Sequence, residues 1–187
     1  AFIINNPAYF GDARSFVKLT LPSNDNTSSK YLSLQLYQSL LSFRLNSLVS
    51  LTEEAVAAFT DLDLRRLSYV RENGTYSNAD EQYEKALCAL LDERPTSANY
   101  ARIAYELAYL YKKQGMGWRS GRKAEHRNKL VEAYKLCEEI IKQRSATTLT
   151  TYARNLQKEI TAPAISINIE TNQAPNSPIL YKATYRN

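Results

Sequence analysis

The stretch YARIAYELAYLYKKQG, residues 100–115, has the clearest helical period in the chain. Its apolar side chains recur every three or four positions, at Tyr100, Ile103, Ala104, Leu107, Ala108 and Tyr111. This spacing puts them on one face of an α-helix, with polar residues on the other. The stretch therefore predicts an amphipathic helix that packs against neighbours on one side and ends at Gly115.

Stretches on both sides of it have the same kind of period. They predict further helices over residues 30–46, 50–73, 78–94, 122–143 and 148–159. In the first, the predicted inward residues are Leu36, Tyr37, Leu40, Leu41 and Leu48; in the last, they are Leu149, Tyr152, Ala153, Leu156 and Ile160. Ser50 and Glu53 fit a capping box at the start of the second helix, and Gly74 fits its end. Six consecutive helices with short connections predict a mainly α fold, built as an antiparallel array of helical hairpins.

Two pairs of these helices are similar to tetratricopeptide repeats. Leu107, Ala108 and Tyr111 give the large–small–aromatic pattern of a first repeat helix, and Ala133 and Cys137 occupy packing positions of a second. Leu67-Ser68, with Ala86 and Leu90, gives a fainter copy. About 26 residues separate Leu107 from Ala133, roughly twice the consensus spacing, so an insertion replaces the turn. The alternative is an unrelated helical bundle.

The period changes near the end of the chain. After Pro163, Ile165, Ile167 and Ile169 alternate with polar residues, and a second alternating run covers 179–185. The sequence thus divides into an irregular segment at 1–28, a tetratricopeptide-like helical domain at 29–160 and a strand pair at 161–187. Two strands alone are marginally stable in water, so we expect the pair to be the opening strands of something larger.

Residues 165–187, ISINIETNQAPNSPILYKATYRN, resemble the start of the first macroglobulin domain of large bacterial α2-macroglobulin-like proteins. The resemblance lies in the strand ending at Glu170, the Pro175-Asn176-Ser177-Pro178 turn and the closing Tyr185-Arg186-Asn187. It implies that the strand pair is the truncated start of a β-sandwich domain. It also implies that the chain is the N-terminal helical interaction module of a protease-trapping protein of the cell envelope or periplasm. The implied protein partners are other domains of the same chain, proteases or envelope proteins. The start of the chain has no signal-peptide pattern.

The resemblance carries no catalytic residue into this chain. The family's Cys-Gly-Glu-Gln thioester motif is absent, since Cys88 lies in Leu-Cys-Ala-Leu and Cys137 in Leu-Cys-Glu-Glu. We therefore expect no enzyme activity. The alternative functions are a free-standing tetratricopeptide-like scaffold for protein–protein interaction and a helical glycan-binding lipoprotein of the outer membrane.

Basic residues concentrate between the fourth and fifth predicted helices. Of the net charge of +5, residues 112–129 carry seven bases and one acid, whereas the rest of the chain carries 17 bases and 18 acids. The segment is either a solvated loop or a site for an acidic protein surface; it is too short to predict a nucleic-acid groove. The candidate partner-binding residues are Lys112, Lys113, Trp118, Arg119, Arg122, Lys123, Arg127 and Lys129.

The remaining reactive residues do not form a recognisable site. Cys88 and Cys137 each lie in an apolar helical stripe, which indicates buried free thiols or, as the alternative, a disulfide between two helices. The single histidine, His126, lies among basic residues and is expected to be solvated. We expect no metal or small-molecule cofactor, because the chain has no metal-ligand spacing and no phosphate-binding glycine loop.

Overall fold

The computed structural model describes residues 2–22, 25–47, 52–93, 97–118, 124–143, 148–169 and 181–186. These residues contain seven α-helices, two 3-10 helices at Pro7–Phe10 and Ala124–His126, and two strands. The predicted fold class, mainly α with a short C-terminal strand pair, is confirmed. The helices are α1 (Ala13–Phe16), α2 (Ser29–Ser47), α3 (Glu53–Asn73), α4 (Ala79–Glu93), α5 (Ser97–Met116), α6 (Lys129–Lys142) and α7 (Thr148–Thr161), and the strands are β1 (Ala164–Ile169) and β2 (Tyr181–Arg186).

Consecutive helices run antiparallel, as their end-to-end contacts demonstrate. In α2 and α3, Lys30 at the start of one helix donates to the Asn73 carbonyl at the end of the other, 2.8 Å away. In α5 and α6, Tyr100 near the start of one bonds Glu139 near the end of the other. Helical hairpins are therefore the building unit of the domain.

Alternate helices also pack side by side, and they run in the same direction. Arg102 of α5 lies 2.6 Å from Asp61 of α3, both in the first half of their helices. Lys112 of α5 pairs with Glu159 of α7, both near the ends. Helices α3, α5 and α7 thus form one layer, with α4 and α6 packed against it. This is the arrangement of a helical-repeat solenoid.

Helix α5 lies at the centre of the array, and its predicted inward face is confirmed. Five of the predicted side chains are buried, and Tyr100 packs against this core. The buried five are Ile103, Ala104, Leu107, Ala108 and Tyr111. Gly115 lets the start of α6 come close, because a Cβ there would lie 2.9 Å from the backbone nitrogen of Leu130. The small side chains of α5 therefore set the close helix spacing on which the fold depends.

The prediction for α2 was partly wrong. Leu41 is fully buried and Tyr37 packs against the core, but Leu36 and Leu40 are exposed, while the unpredicted Leu34 is fully buried. The core positions Leu34 and Leu41 are seven residues apart, but leucine also occurs on the opposite side of the helix. The apolar period alone therefore could not select the buried face. Leu48 lies outside the described residues.

Three smaller predictions also differ from the structure. The N-cap of α3 is Thr52, whose hydroxyl accepts from the backbone of Ala55; Ser50 lies outside the described residues. Gly74 is the C-cap of α3, as predicted, but its backbone is extended, with φ at −85°. Glycine is needed there because a Cβ would lie 2.6 Å from the Val70 carbonyl oxygen. Tyr152 is exposed, and its ring lies tilted against that of Tyr105, with the ring centroids 6.0 Å apart.

The segment before α2, which has no sequence period, packs into the core. Phe2, Ile4, Tyr9, Phe10 and Phe16 are all buried against the helices. The 3-10 helix Pro7–Phe10 and helix α1 are capped by the side chains of Asn6 and Asp12. The irregular segment is thus a structured strap across α3 and α4.

Strands β1 and β2 form an antiparallel pair in which Ile165 is opposite Tyr185 and Ile169 is opposite Tyr181. The described part of the hydrophobic core runs from Phe2 to Ile160 and takes no side chain from either strand. None of the described helices is both long enough and apolar enough to cross a bilayer.

Candidate functional site

The basic candidate residues lie at the α5–α6 connection, which the structure describes on both sides of residues 119–123. Lys112 and Lys113 belong to the last turns of α5, and half-buried Trp118 follows that helix. Arg127 follows the 3-10 helix, and Lys129 is the first residue of α6. Arg119, Arg122 and Lys123 lie outside the described residues.

Two of the candidate lysines hold helices together. Lys112 pairs with Glu159 of α7. The Lys129 ammonium lies 2.8 Å from Glu84 of α4 and 3.2 Å from Glu132, and its Nζ is 3.7 Å from the centre of the Tyr111 ring. Both lysine side chains are largely buried, so their charges are neutralised inside the fold. Lys113 and Arg127, by contrast, are exposed to solvent.

A charged cleft of about 630 Å³ lies beside Lys129, between α4, the second 3-10 helix and α6. Four glutamates, two lysines, one histidine and one cysteine line it, so acids outnumber fixed bases. The lining residues are Glu81, Glu84, Lys85, Cys88, Glu125, His126, Lys129 and Glu132.

The Glu84–Lys129 pair is the electrostatic centre of the cleft. Burial disfavours the charge on Glu84, but hydrogen bonds from Lys129, Tyr111 and Gln114 outweigh it and lower the Glu84 pKa. Burial likewise opposes the charge on Lys129, yet Glu84 and Glu132 together raise its pKa. Both groups are therefore charged at neutral pH, and the pair joins the start of α4 to the start of α6.

The cysteines are not activated. Burial, followed by the negative charge of Glu84, raises the pKa of the Cys88 thiol, and burial raises that of Cys137 to about 11. Both are free thiols, as the sequence favoured, and they are protonated at neutral pH, whereas nucleophilic cysteines are thiolates. Within the described ranges, no three His, Cys, Asp or Glu side chains form a group that could hold a metal ion.

Only a weak signal in the sequence indicates this cleft. Glu81, Glu84, Lys85 and Cys88 recur at helical spacing, and they mark one face of α4. The expectation for His126 needs correction, because its side chain is 25% exposed and lies 3.9 Å from Glu125. The 3-10 helix places the partly exposed imidazole in the lining of the cleft.

A second surface feature lies on the strand pair. Ile165, Ile167 and Ile169 of β1 share a face with their register partners on β2, which include Tyr181 and Tyr185. These five large apolar side chains are 58% to 80% exposed. Because contiguous exposed patches of large apolar side chains usually mark contact surfaces, this face has the character of an interface.

Comparisons with protein-family models, with curated proteins and with solved structures found no match for this chain.

Proposed function

We propose that this chain is a non-enzymatic, protein-binding helical module of a large cell-envelope α2-macroglobulin-like protein that traps proteases. The observation that carries the proposal is the apolar face of the strand pair. Isoleucines and tyrosines alternate with polar residues on both strands, and the register brings them to one side. An uncovered two-stranded sheet is marginal in water, so further strands of a β-sandwich are its natural cover.

The sequence resemblance of residues 165–187 to the start of a macroglobulin domain supports the same proposal. The described strands overlap that stretch and, in the sequence, flank its Pro175-Asn176-Ser177-Pro178 motif. The helical layer supports the interaction role, since stacked helical hairpins present extended surfaces to partners. The partners proposed are other domains of the same protein, proteases and envelope proteins.

The proposal is tested by tyrosine nitration of two proteins: residues 1–187, and the same chain extended by its natural downstream sequence. We expect Tyr181 and Tyr185 to react readily in the first and to be protected in the second, because sandwich strands would cover them. Tyr109 and Tyr152 are matched controls, since they are 50% and 49% exposed on helices and should react equally in both.

Two results would overturn the macroglobulin assignment: unchanged nitration of Tyr181 and Tyr185 in the extended protein, or a gene that ends at codon 187. The second candidate, a free-standing tetratricopeptide-like scaffold, would then be favoured. One observation already supports it, because the described helical core is closed without any side chain from β1 or β2.

The basic segment is proposed as the surface that binds an acidic protein partner. Lys113 and Arg127 supply exposed charge there, and Arg119, Arg122 and Lys123 add to it by sequence. Replacing those three with serine is expected to leave the melting temperature almost unchanged, because a solvated charge contributes little to stability. A fall of several degrees would instead mean that the segment is packed structure.

A further inference from the structure

Helix α2 has a second apolar face on the side away from the core. Leu32, Leu36, Leu40 and Phe43 are 41% to 64% exposed. At about 100° per residue, these four positions fall within an arc of roughly 80°. The buried Leu34 and Leu41 lie nearly opposite, where α2 packs on α3 and α1. Helix α2 is therefore apolar on two sides, and the other helices cover only one of them among the described residues.

Charge is nearly absent from this second face. The helix carries two charged side chains, Lys30 and Arg44. Lys30 donates to the backbone carbonyl of Asn73 at 2.8 Å, so it is directed towards α3. Arg44 lies beside the Phe43 ring, 6.0 Å from its centre. An amphipathic helix that binds lipid usually carries several cations flanking its apolar face, and this one does not.

The spacing of the four residues is close to symmetric along the helix. Leu32 and Leu36 are four residues apart, and Leu40 and Phe43 are three apart, on either side of the same midpoint. When two such helices meet antiparallel, Leu36 of one faces Leu40 of the other, and Leu32 faces Phe43. An isologous dimer needs a patch of this self-complementary kind. We propose that this face binds a second copy of the chain through an antiparallel α2–α2 contact.

The available area fits a weak dimer. The exposed parts of three leucines and one phenylalanine amount to roughly 400 Å² per chain, and neighbouring serines and glutamines add to that. A stable interface of standard size buries about 800 Å² per partner. We therefore expect a dissociation constant in the micromolar range and not a permanent dimer.

The first test is sedimentation velocity of the full chain between about 1 and about 200 µM. We expect the wild type to shift from monomer to dimer over this range. Leu36→Glu should stay monomeric at every concentration, because the contact would bury a charge with no partner. Val131→Glu is the matched control, since Val131 is 55% exposed on α6, and it should dimerise as the wild type does. Circular dichroism checks that each variant is folded.

The second test addresses the register. Leu36→Glu and Leu40→Lys should each be monomeric alone, yet an equal mixture should form a heterodimer, because the antiparallel contact places the new carboxylate opposite the new ammonium. A parallel contact would give no such rescue.

Three outcomes would overturn the proposal. The first is a wild-type chain that stays monomeric at every concentration, whether or not it binds neutral lipid vesicles. The second is a Leu36→Glu variant that is folded and still dimerises. The third is a mixture of Leu36→Glu and Leu40→Lys that stays monomeric. If Leu36→Glu does not fold, Leu40→Lys serves alone in the first test.

Discussion

The buried ion pair between Arg66 and Asp63 allows the sharpest prediction about the stability of this fold. Both side chains are 1% exposed, and Arg66 Nη2 lies 2.7 Å from Asp63 Oδ1. The same guanidinium donates to the carbonyls of Tyr9 and Gly11, and it stacks over the Phe16 ring at 4.6 Å. One side chain thus ties α3 to the N-terminal strap.

Replacing Arg66 with methionine keeps most of the stem packing and removes the charge and all the hydrogen bonds. It leaves Asp63 buried without its cation and deprives two carbonyls of a donor. Breaking a buried pair from one side costs about 3–5 kcal/mol. Since domains of this kind have about 5–15 kcal/mol of total stability, a large part of it would be lost. The double variant Arg66→Met, Asp63→Leu should recover some of the loss, because no buried charge is then left unpaired.

The assay is urea unfolding followed by circular dichroism, together with limited trypsin digestion. We expect Arg66→Met to unfold at much lower urea and to be cut early at Arg14 and Lys18 in the strap. Arg65→Met is the matched control: its side chain is 72% exposed beside Asp61, and such a pair contributes under about 1 kcal/mol. Equal losses in the two variants would refute the reasoning, because burial would then not decide the contribution of the arginine.

Three further predictions follow from other contacts. Glu84→Gln should lower stability by about 1–3 kcal/mol at pH 7, and the deficit should shrink as pH falls, because the stabilisation from a lowered carboxyl pKa is lost as the native glutamate becomes protonated. Glu106→Gln should raise stability at pH 7 by on the order of 1 kcal/mol, since burial raises the Glu106 pKa and its charge becomes unfavourable as pH rises. Gly115→Ala should cost about 1–3 kcal/mol, as the new methyl group would meet the backbone of Leu130.

Two of these three variants have a matched control, and urea unfolding measures the free energy of unfolding of all of them. Glu93→Gln, on the exposed side of the same helix as Glu84, should show little change at either pH. Gly117→Ala should be nearly neutral, because its Cβ would lie 3.4 Å from the nearest atom, an ordinary contact. The reasoning for Glu84 would be contradicted if the stability deficit of Glu84→Gln grew as the pH fell. The reasoning for Glu106 would be contradicted if Glu106→Gln were less stable than the wild type, and that for Gly115 if both glycine variants had equal effects.

The sequence predicted the parts of the fold in which one period dominates. Helix α5 alternates small and large apolar residues on a single face, so the sequence predicted its buried side and, to within one residue, its end at Met116, but not its start at Ser97. In α2 leucine occurs on two opposite sides. The packing of Leu34 against neighbouring elements, which the period does not contain, decides which side is buried. The strap escaped prediction because its order depends on contacts with residues far along the chain, such as Tyr76 to Asn6 at 2.9 Å.

The candidate site was less predictable than the fold. Composition locates a basic segment, but it does not say which cations pair inside the molecule. Lys129 is drawn into the cleft by Glu84, a residue on another helix 45 positions away. Pairing across helices depends on three-dimensional packing, so the sequence could list the charges near the α5–α6 connection without separating structural cations from exposed ones.

The strap also affects the order in which the chain acquires its contacts during synthesis. Most packing joins neighbouring hairpins, and such local contacts form quickly. The carbonyl of Tyr9, in contrast, meets its donor in Arg66, which the ribosome adds 57 residues later. Until α3 has emerged, Phe2, Ile4 and Phe16 have no core to enter, and they are the apolar side chains that a nascent-chain chaperone would meet first. The segment made early is therefore stabilised only after α3 has been made, by contacts that span 57 residues of the chain.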